Sequence, residues 1–452
     1  MMLILAGLAG VGHAAFLVRP YLQNLNDTSI SVLWQSSTSL TGGVDYGLTS
    51  GYGAQVLESN PVTMHELVLP GLFPETAYHY RAFSGTDTSP DAVFRTKAAE
   101  NQAFSFIAFG DDRSDSASHQ SVLNRMALVS PVPGLLFNVG DLTATGATSE
   151  YLTFFRIERV MMDHVPMFPD LGNHDVNNVP GWLADFALPD AERWYSVRFG
   201  NCAFHCLDIY STFTPGSAQY NWLLSELMAD SADPAIRHIF VFGHEPPYTT
   251  NNGHAGNTNV QTYLCPLFER FGVAIEFSGH NHAYEHSLVN GVHYIMTGGG
   301  GAPLYTSWGA TQPWTIYREA AFEFTLISIS GDSVWCKGIR PDGSVFDSFA
   351  LISLTSLGED PHRKAATTPG LSVLEEPFVR YAAIRFRLPV QAEVNLSVYD
   401  ASGARVAELV KGMMGRGTHQ VSWDAGPLPD GHYFCVLRTG SVNAAIRLTR
   451  AQ

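Results

Sequence analysis

Residues 167–175 read MFPDLGNHD and join a short apolar run to a glycine and then to side chains that can bind a metal ion. The same order occurs at four other places in the chain. Those places contain Gly110-Asp111-Asp112-Arg113, Gly140-Asp141, Gly243-His244-Glu245-Pro246 and Gly279-His280-Asn281-His282. A single Gly-Asp or a lone His after a strand is usually structural. The prediction of a functional site therefore depends on the five occurrences together.

The repeated pattern predicts that these polar side chains meet in space. Parallel strands end at one edge of a sheet, and ligands bind in the crevice beyond those ends. A glycine lets the chain turn sharply there, so that the next side chain points into the crevice. Carboxylate oxygens and imidazole nitrogens from several strands can hold two divalent metal ions. Two such ions can clamp the attacking and leaving oxygens of a phosphoryl displacement.

The pattern around these motifs predicts three structural segments. Residues 98–354 alternate strand-like runs with stretches of helical apolar spacing, which predicts an α/β domain with helices at 118–128, 151–161 and 220–228. Residues 16–97 consist of period-two runs and turn signals, as expected for an all-β domain. Residues 355–371 are rich in Gly, Pro, Thr and charge and predict a linker, after which strands return in 372–452.

The N-terminus is predicted to be a signal peptide of residues 1–15. Its apolar run ends in Gly12-His13-Ala14-Ala15, small residues placed as at a signal-peptidase site. The alternative is a first β-strand. The run is too short to span a membrane, and no later apolar run is long enough.

Composition restricts the class of protein. The chain has 452 residues, of which 45% are hydrophobic and 15% charged, so it can form real cores and is not a disordered chain. The net charge of -16 argues against a nucleic-acid polymer as partner, because phosphate contacts need clustered Lys and Arg. It does not exclude a small phosphate ester, because bound metal ions can dominate the local field. The five cysteines include no CxxC pair, so we expect most of them to be small buried apolar residues and the chain to lack a disulfide framework.

Two segments resemble known β-sandwich families. Residues 69–80, with the sequence LPGLFPETAYHY, resemble the fibronectin type III signature, and Trp34 suits its buried tryptophan. Residues 384–389, 394–400, 417–424 and 431–434 resemble the C-terminal sandwich of type IX secretion cargo and of flagellar hook-capping proteins. The last residues, Arg447-Leu448-Thr449-Arg450, are less hydrophobic than that resemblance expects.

The five motifs together resemble the calcineurin-like metallophosphoesterases. His244-Glu245-Pro246-Pro247-Tyr248 and His280-Asn281-His282-Ala283-Tyr284-Glu285 narrow the likeness to purple acid phosphatases, as does the fibronectin-like domain before the catalytic one. The resemblance implies a multidomain chain. A fibronectin III-like sandwich (16–97) precedes an α/β/β/α metallophosphoesterase sandwich (98–354), and a linker (355–371) leads to an all-β sandwich (372–452).

The resemblance also implies a role for each site residue. It implies a first metal ligated by Asp111, Asp141 and His282, and a second ligated by Asp141, Asn173, His244 and His280. His174 would stand at the leaving-group oxygen with Asp175 orienting its ring, and His254 would face the substrate. The two divalent ions are expected to be Mn, Zn or Fe.

Two positions depart from the family pattern. Arg113 stands where calcineurin-like enzymes often have His, and Ala144 stands where purple acid phosphatases have the metal-binding Tyr. A water molecule, His119 or a displaced ligand could complete the first metal site. Arg113 could instead reach the substrate phosphate, since its planar fork suits phosphate, or pair with Asp112 or Asp115.

The resemblance implies hydrolysis of a phosphate monoester by a metal-bound hydroxide, with His174 donating a proton to the leaving group. The alternatives are a phosphodiesterase or nucleotidase acting at the same site, and a non-catalytic cell-surface binding protein. The two terminal segments predict a secreted, periplasmic or cell-surface protein that engages secretion machinery through its C-terminal domain.

Overall fold

The computed structural model describes residues 16–99, 102–352, 371–373, 378–388, 391–400, 404–426, 428–439 and 443–451. Its contacts divide the chain into two compact units, Met1–Gly358 and Glu359–Gln452. The predicted signal peptide and all but Leu371 of the predicted linker lie outside the described residues. The described part of the chain has no helix that is long and apolar enough to cross a membrane.

The first domain is built from two antiparallel sheets. Its strands are β1 (Phe16–Gln23), β2 (Ile30–Leu40), β3 (Gly42–Gly47), β4 (Ala54–Leu57), β5 (Val62–Leu69), β6 (Ala77–Ser84), β7 (Asp87–Thr88) and β8 (Ala92–Arg95). One sheet has the order β1-β2-β5, and β4-β3-β6-β7 form the other with β8 beside β6. Trp34 is buried as expected, and its Nε1 donates to Ser84 Oγ at 2.8 Å, which connects the two sheets.

Two further sheets form the α/β part of the same unit. The first six strands are β9 (Phe104–Phe109), β10 (Leu135–Asn138), β11 (Met167–Pro169), β12 (Tyr195–Phe199), β13 (Cys202–Cys206) and β14 (His238–Phe242). The next seven are β15 (Ile275–Ser278), β16 (Tyr284–Val289), β17 (Val292–Thr297), β18 (Thr315–Glu319), β19 (Phe324–Ser330), β20 (Ser333–Ile339) and β21 (Val345–Ile352). The sheet orders are β11-β10-β9-β19-β20-β21 and β12-β13-β14-β15-β17-β16-β18.

The apolar periodicity of the sequence predicts the long helices but not the short ones. They are α1 (Ser116–Met126), α2 (Thr148–Met162), α3 (Val179–Asp185), α4 (Ala218–Ala232), α5 (Thr258–Tyr263) and α6 (Cys265–Phe271), with a 3₁₀ turn at Asp175–Asn178. The predictions at 118–128, 151–161 and 220–228 are therefore confirmed to within a few residues. The short helices α3, α5 and α6 were not predicted, because fewer than two or three turns give no readable apolar period.

An aromatic layer joins the two sheets face to face. Phe137 on β10 stacks on Phe242 of β14 with ring centroids 4.2 Å apart, and Phe106 on β9 meets Phe240 at 5.1 Å. The alternate residues of β14, Ile239 and Val241, lie in a separate cluster with buried leucines of α4. The seven-stranded sheet is thus covered by the first sheet on one face and by helices on the other.

Parallel pairing brings the motif-bearing strands to a common edge. In the first sheet β10 runs parallel to β9 and to β11, and in the second β14 runs parallel to β15. The loops after these strands carry the five glycine motifs, so they emerge at the carboxyl ends of both sheets. The motif side chains therefore lie close together at this edge, as predicted from the sequence.

The second unit is also all-β. Its strands are β22 (Leu371–Val373), β23 (Tyr381–Leu388), β24 (Ala392–Asp400), β25 (Arg405–Met414), β26 (Gly417–Asp424), β27 (Gly431–Thr439) and β28 (Asn443–Arg450). They form antiparallel sheets of order β22-β23-β26 and β25-β24-β27-β28. The fibronectin-like and sorting-type identities of the two outer domains stay predictions. All five cysteines are buried free thiols, as predicted.

Candidate active site

Asp111 follows β9 and lies at this common edge of the sheets. Its carboxylate is buried, and Oδ2 accepts a hydrogen bond from the backbone N–H of His280 at 2.8 Å. Oδ1 has no hydrogen-bond partner among the described residues and lies 3.7 Å from His282 Nε2. A buried carboxylate oxygen without a donor is costly unless a cation faces it.

Asp141 follows β10 and connects the two halves of the site. Its Oδ1 accepts from the backbone N–H of His174 at 2.9 Å and lies 3.5 Å from His244 Nε2. Its Oδ2 accepts from Arg113 Nε at 3.0 Å. The two oxygens therefore face different sets of side chains.

Asn173, His244 and His280 converge on one another. Asn173 Oδ1 lies 3.2 Å from His244 Nε2 and 2.9 Å from His280 Nδ1. The other nitrogen of His244, Nδ1, lies 2.7 Å from the Val139 carbonyl oxygen, which assigns the proton to Nδ1 and leaves Nε2 a lone pair. His282 has the same arrangement, with Nδ1 2.8 Å from the Pro303 carbonyl oxygen.

The backbone at this edge is held in an uncommon conformation. Asp111, Asp141 and His280 have φ angles of 58°, 59° and 66°, in the left-handed region that costs non-glycine residues about 1–3 kcal/mol each. Two glycines allow the loops to approach this closely. A Cβ atom on Gly172 would lie 2.2 Å from Asp141 Oδ1, and one on Gly279 would lie 2.3 Å from Asp111 Oδ2.

Comparison with known proteins agrees with this geometry. The family model for calcineurin-like phosphoesterases matches residues 117–284. The chain contains a calcineurin-like phosphoesterase domain. It is a phosphoric ester hydrolase of the metallophosphoesterase class, and the family implies a dinuclear metal site.

Relatives of the chain include proteins named as acid phosphatases and a phosphodiesterase. The chain is 24% identical over 405 residues to acid phosphatase type 7 of Danio rerio, covering 74% of this chain and 89% of that protein. It is 25% identical over 262 residues to a nucleotide pyrophosphatase/phosphodiesterase of Hordeum vulgare, covering 48% of this chain and 71% of that protein.

A solved structure shares the fold. The purple acid phosphatase from yellow lupin (Lupinus luteus) seeds superposes with a TM-score of 0.66 at 19% identity. The match covers 76% of this chain and 75% of that one.

The donor set of the phosphoesterase domain fits divalent first-row metal ions. Burial lowers the pKa of His280 to about 2 and that of His282 to about 4, so both rings are neutral and can act as ligands. Burial raises the pKa of Asp111 well above its usual value, and the neighbouring Asp141 adds to this effect. Atoms of Asp111, Asp141 and His244 lie within 4.8 Å of one another, a mixed O/N set suited to Mn, Zn or Fe.

His174 and Asp175 do not form the expected pair. His174 Nδ1 lies 2.5 Å from the carbonyl oxygen of Ala144, while Nε2 lies 3.8 Å from Asp141 Oδ2. Asp175 Oδ2 instead accepts from the backbone N–H groups of Asp141, Gly172 and Leu142 at 2.8, 3.0 and 3.3 Å. The expectation that Asp175 orients the ring of His174 is corrected, because the 3₁₀ turn beginning at Asp175 directs its carboxylate toward these loops.

The contacts of Arg113 and His119 exclude two of the roles that the sequence left open for them. Arg113 pairs with Asp141 and lies 3.2 Å, through Nη2, from His282 Nε2, so it is not a surface partner of Asp112 or Asp115. The Asp115 side chain instead accepts hydrogen bonds from the backbone N–H groups of Ala117 and Ser118, and so caps the N-terminus of α1. His119 does not complete the first metal site, because its Nε2 lies 2.7 Å from Glu158 Oε1.

His254 lies at the rim beside a residue that the motifs missed. Its ring stacks on His280 at 3.9 Å, and its backbone is tied to Asn281 by hydrogen bonds of 2.7 and 3.0 Å. Tyr305 stacks on His282 at 4.1 Å and places its hydroxyl 3.5 Å from His254 Nε2. The glycine run 298–301, which packs against Asp111 and Asp112, was the available signal for this segment.

Proposed function

We propose that the phosphoesterase domain hydrolyses phosphate monoesters with two divalent metal ions. Asp111, Asp141 and His282 would hold the first ion, and Asp141, Asn173, His244 and His280 the second. The observation that carries this proposal is the position of Asp141, whose Oδ1 faces His244 at 3.5 Å while Oδ2 faces the opposite group of side chains. A carboxylate placed in this way can bridge two ions.

The ions, when bound, would neutralise charge on the phosphoryl oxygens and lower the pKa of a water molecule toward neutrality. We assign positioning of the ligands, proton transfer and phosphate binding to side chains of this chain. Asp175 accepts from three backbone N–H groups and so fixes the loops that carry Asp141 and Asn173. We therefore assign Asp175 a positioning role for these ligands.

His174 is proposed as the general acid. The Ala144 carbonyl oxygen holds Nδ1, so a protonated ring presents Nε2–H toward the crevice. The side chain is 28% exposed, which leaves it accessible to the leaving-group oxygen of a bound ester. Transfer of this proton avoids release of a free alkoxide.

His254 and Arg113 are proposed to contact the substrate phosphate. His254 has its backbone fixed by Asn281 and its ring at the rim, next to His280. Arg113 offers planar donors that match phosphate oxygens. Neither residue is needed for the second metal ion in this assignment.

A phosphodiester or nucleotide substrate is the second candidate. The barley relative named as a nucleotide pyrophosphatase/phosphodiesterase supports it, because the same two-metal arrangement can serve either ester class. A non-catalytic surface protein is disfavoured, because the buried metal-binding groups of Asp111, Asp141 and His244 would be costly to retain without a ligand.

Metal analysis combined with kinetics tests the proposal. We expect about two metal ions per chain after purification without chelator, with a larger kcat/KM for nitrophenyl phosphate than for bis-nitrophenyl phosphate. The control is Asn173→Leu, which removes one second-site donor and should lower both metal content and activity. A protein without bound metal that also lacks activity on both esters would refute the proposal, and a preference for the diester would select the second candidate.

A further inference from the structure

The Arg113 side chain contacts two of the three residues assigned to the first metal ion. Nε donates to Asp141 Oδ2 at 3.0 Å, and Nη2 lies 3.2 Å from His282 Nε2. We propose that this guanidinium competes with the first ion for both ligands, so that the two metal sites differ strongly in affinity. The inference rests on the proposed function and adds to it a built-in control of metal loading.

The contact with His282 involves the lone pair that a metal ion would need. His282 Nδ1 is 2.8 Å from the Pro303 carbonyl oxygen and therefore carries the ring proton. Its Nε2 is then an acceptor with a single lone pair, and a guanidinium has donors only. Binding of an ion to His282 Nε2 requires that Arg113 withdraw.

The contact with Asp141 is a charge-assisted hydrogen bond in a buried setting. The Asp141 side chain is 1% exposed and that of Arg113 is 15% exposed, so water screens the pair weakly. A divalent ion must replace both this bond and the one to His282. Hydrogen bonds to charged groups are strong enough for this competition to weaken binding by about ten- to a hundredfold.

The three ligands that belong to the second ion alone have no such competitor, and Arg113 contacts the shared Asp141 at Oδ2 rather than at the Oδ1 that faces His244. Among the described residues, no Lys or Arg lies within hydrogen-bond or ion-pair distance of Asn173, His244 or His280. The first set also lacks the donor that a tyrosine would provide, because position 144 is alanine and its carbonyl oxygen accepts from His174. The guanidinium and the missing tyrosine donor therefore weaken the first site more than the second.

Displacement of Arg113 links metal loading to substrate binding. An ion held by Asp141 and His282 would displace the guanidinium from these two partners and make it available to a phosphate. Arg113 can therefore occupy the first metal site in the metal-free protein and bind the substrate phosphate in the metal-bound protein.

Calorimetric titration of the metal-free full chain with Mn²⁺ tests the inference without relying on activity. We expect the wild type to bind two ions in steps separated by at least tenfold. Arg113→Met, which keeps much of the packing, and Arg113→Ala should tighten the weak step by about tenfold or more and leave the tight step unchanged. The matched control is Arg156→Ala, which removes the same charge from an exposed position on α2.

The outcomes separate this inference from the proposed function. Two equal steps in the wild type, or a weak step that Arg113→Met and Arg113→Ala leave unchanged or make weaker, would overturn the inference while the two-metal site stands. Absence of Mn²⁺ binding in the wild type and in both variants would overturn the metal site itself. Circular dichroism of each variant establishes that the comparison is between folded proteins.

Discussion

His174 Nδ1 lies 2.5 Å from the carbonyl oxygen of Ala144, so the main chain at residue 144 orients the imidazole. A backbone acceptor fixes the tautomer without adding a charge beside the ring. It also means that a substitution of the Ala144 side chain leaves this contact in place. The orientation of His174 depends on the backbone at residue 144 rather than on Asp175.

Replacement of His174 should separate chemistry from metal binding. We expect His174→Ala to lower kcat on alkyl phosphates by about a hundredfold or more, because protonation of the leaving group is lost. The loss should be smaller on nitrophenyl phosphate, whose leaving group needs less protonation, and metal content should be unchanged. His164→Ala is the control, since its ring also bonds a backbone carbonyl but at Val93. An equal loss on both substrates would rule out the general-acid role.

Gly172 should be intolerant of any side chain. A Cβ atom there would lie 2.2 Å from both the backbone nitrogen and Oδ1 of Asp141. We expect Gly172→Ala to reduce metal content and to lower the free energy of unfolding by about 1–3 kcal/mol through overpacking. Elemental analysis and urea denaturation measure these effects. Gly51→Ala, where the nearest atom would be 3.5 Å away, should change neither quantity.

The sequence predicts the crevice because each motif is local. An apolar run such as 104–109, followed by glycine and aspartate, predicts both a strand and the turn after it. Five such runs together predict one common sheet edge. The partner of Asp175 could not be predicted in this way. Its acceptors bind N–H groups at 141, 142 and 172, and whether a carboxylate points there depends on the 3₁₀ turn rather than on neighbouring residues.

Tyr305 could not be predicted as a site residue from the sequence for a related reason. It lies 23 residues beyond His282, and long-range contacts bring it back to the site, among them a 2.9 Å bond from the Tyr305 N–H to the His282 carbonyl oxygen. Arg113 could be recognised as a departure from the family pattern, but the choice between Asp112, Asp115 and the metal ligands required three-dimensional contacts. Long-range side-chain partners are set by packing that no local pattern encodes.

Glu323 should make stability depend on pH in a defined direction. Complete burial raises its pKa to about 8, while Thr297 and the Gly299 N–H bond its oxygens. Because this value exceeds that of the unfolded chain, the neutral acid stabilises the fold at low pH, and its contribution is lost as pH rises through about 8. Glu323→Gln should therefore match the wild type near pH 5 and be more stable near pH 9. Equal pH dependence of both melting temperatures would contradict a buried neutral Glu323.

Export from the cytoplasm is predicted from the two ends of the chain. The small residues at 12–15 and the C-terminal sandwich favour secretion, to the periplasm or the cell surface. We expect fractionation of the native host to place the protein outside the cytosol with a new N-terminus near Ala15 or Phe16. Full-length cytosolic protein that retains residues 1–14 would overturn this localisation.

The protein should be colourless when loaded with iron. The purple of the resembling family comes from a tyrosinate on ferric iron, and residue 144 is alanine. Tyr151 does not replace it, because that residue lies in the first turn of α2 and is buried. Tyr305 is near the site, but its ring stacks on His282 and its hydroxyl lies 3.5 Å from His254 Nε2, at the rim of the site.

A site without phenolate favours divalent over trivalent ions, since a hard anionic ligand stabilises the higher charge. Divalent ions acidify bound water less than trivalent ions do, so the optimum of the pH–rate profile should lie nearer neutral than strongly acidic pH. The visible spectrum of the iron-loaded protein and that profile are the two measurements. A strong band in the middle of the visible range would mean that a tyrosine reaches the first metal ion. Tyr305→Phe then decides the source, since loss of the band would identify Tyr305 as the ligand and require a new assignment around Asp111.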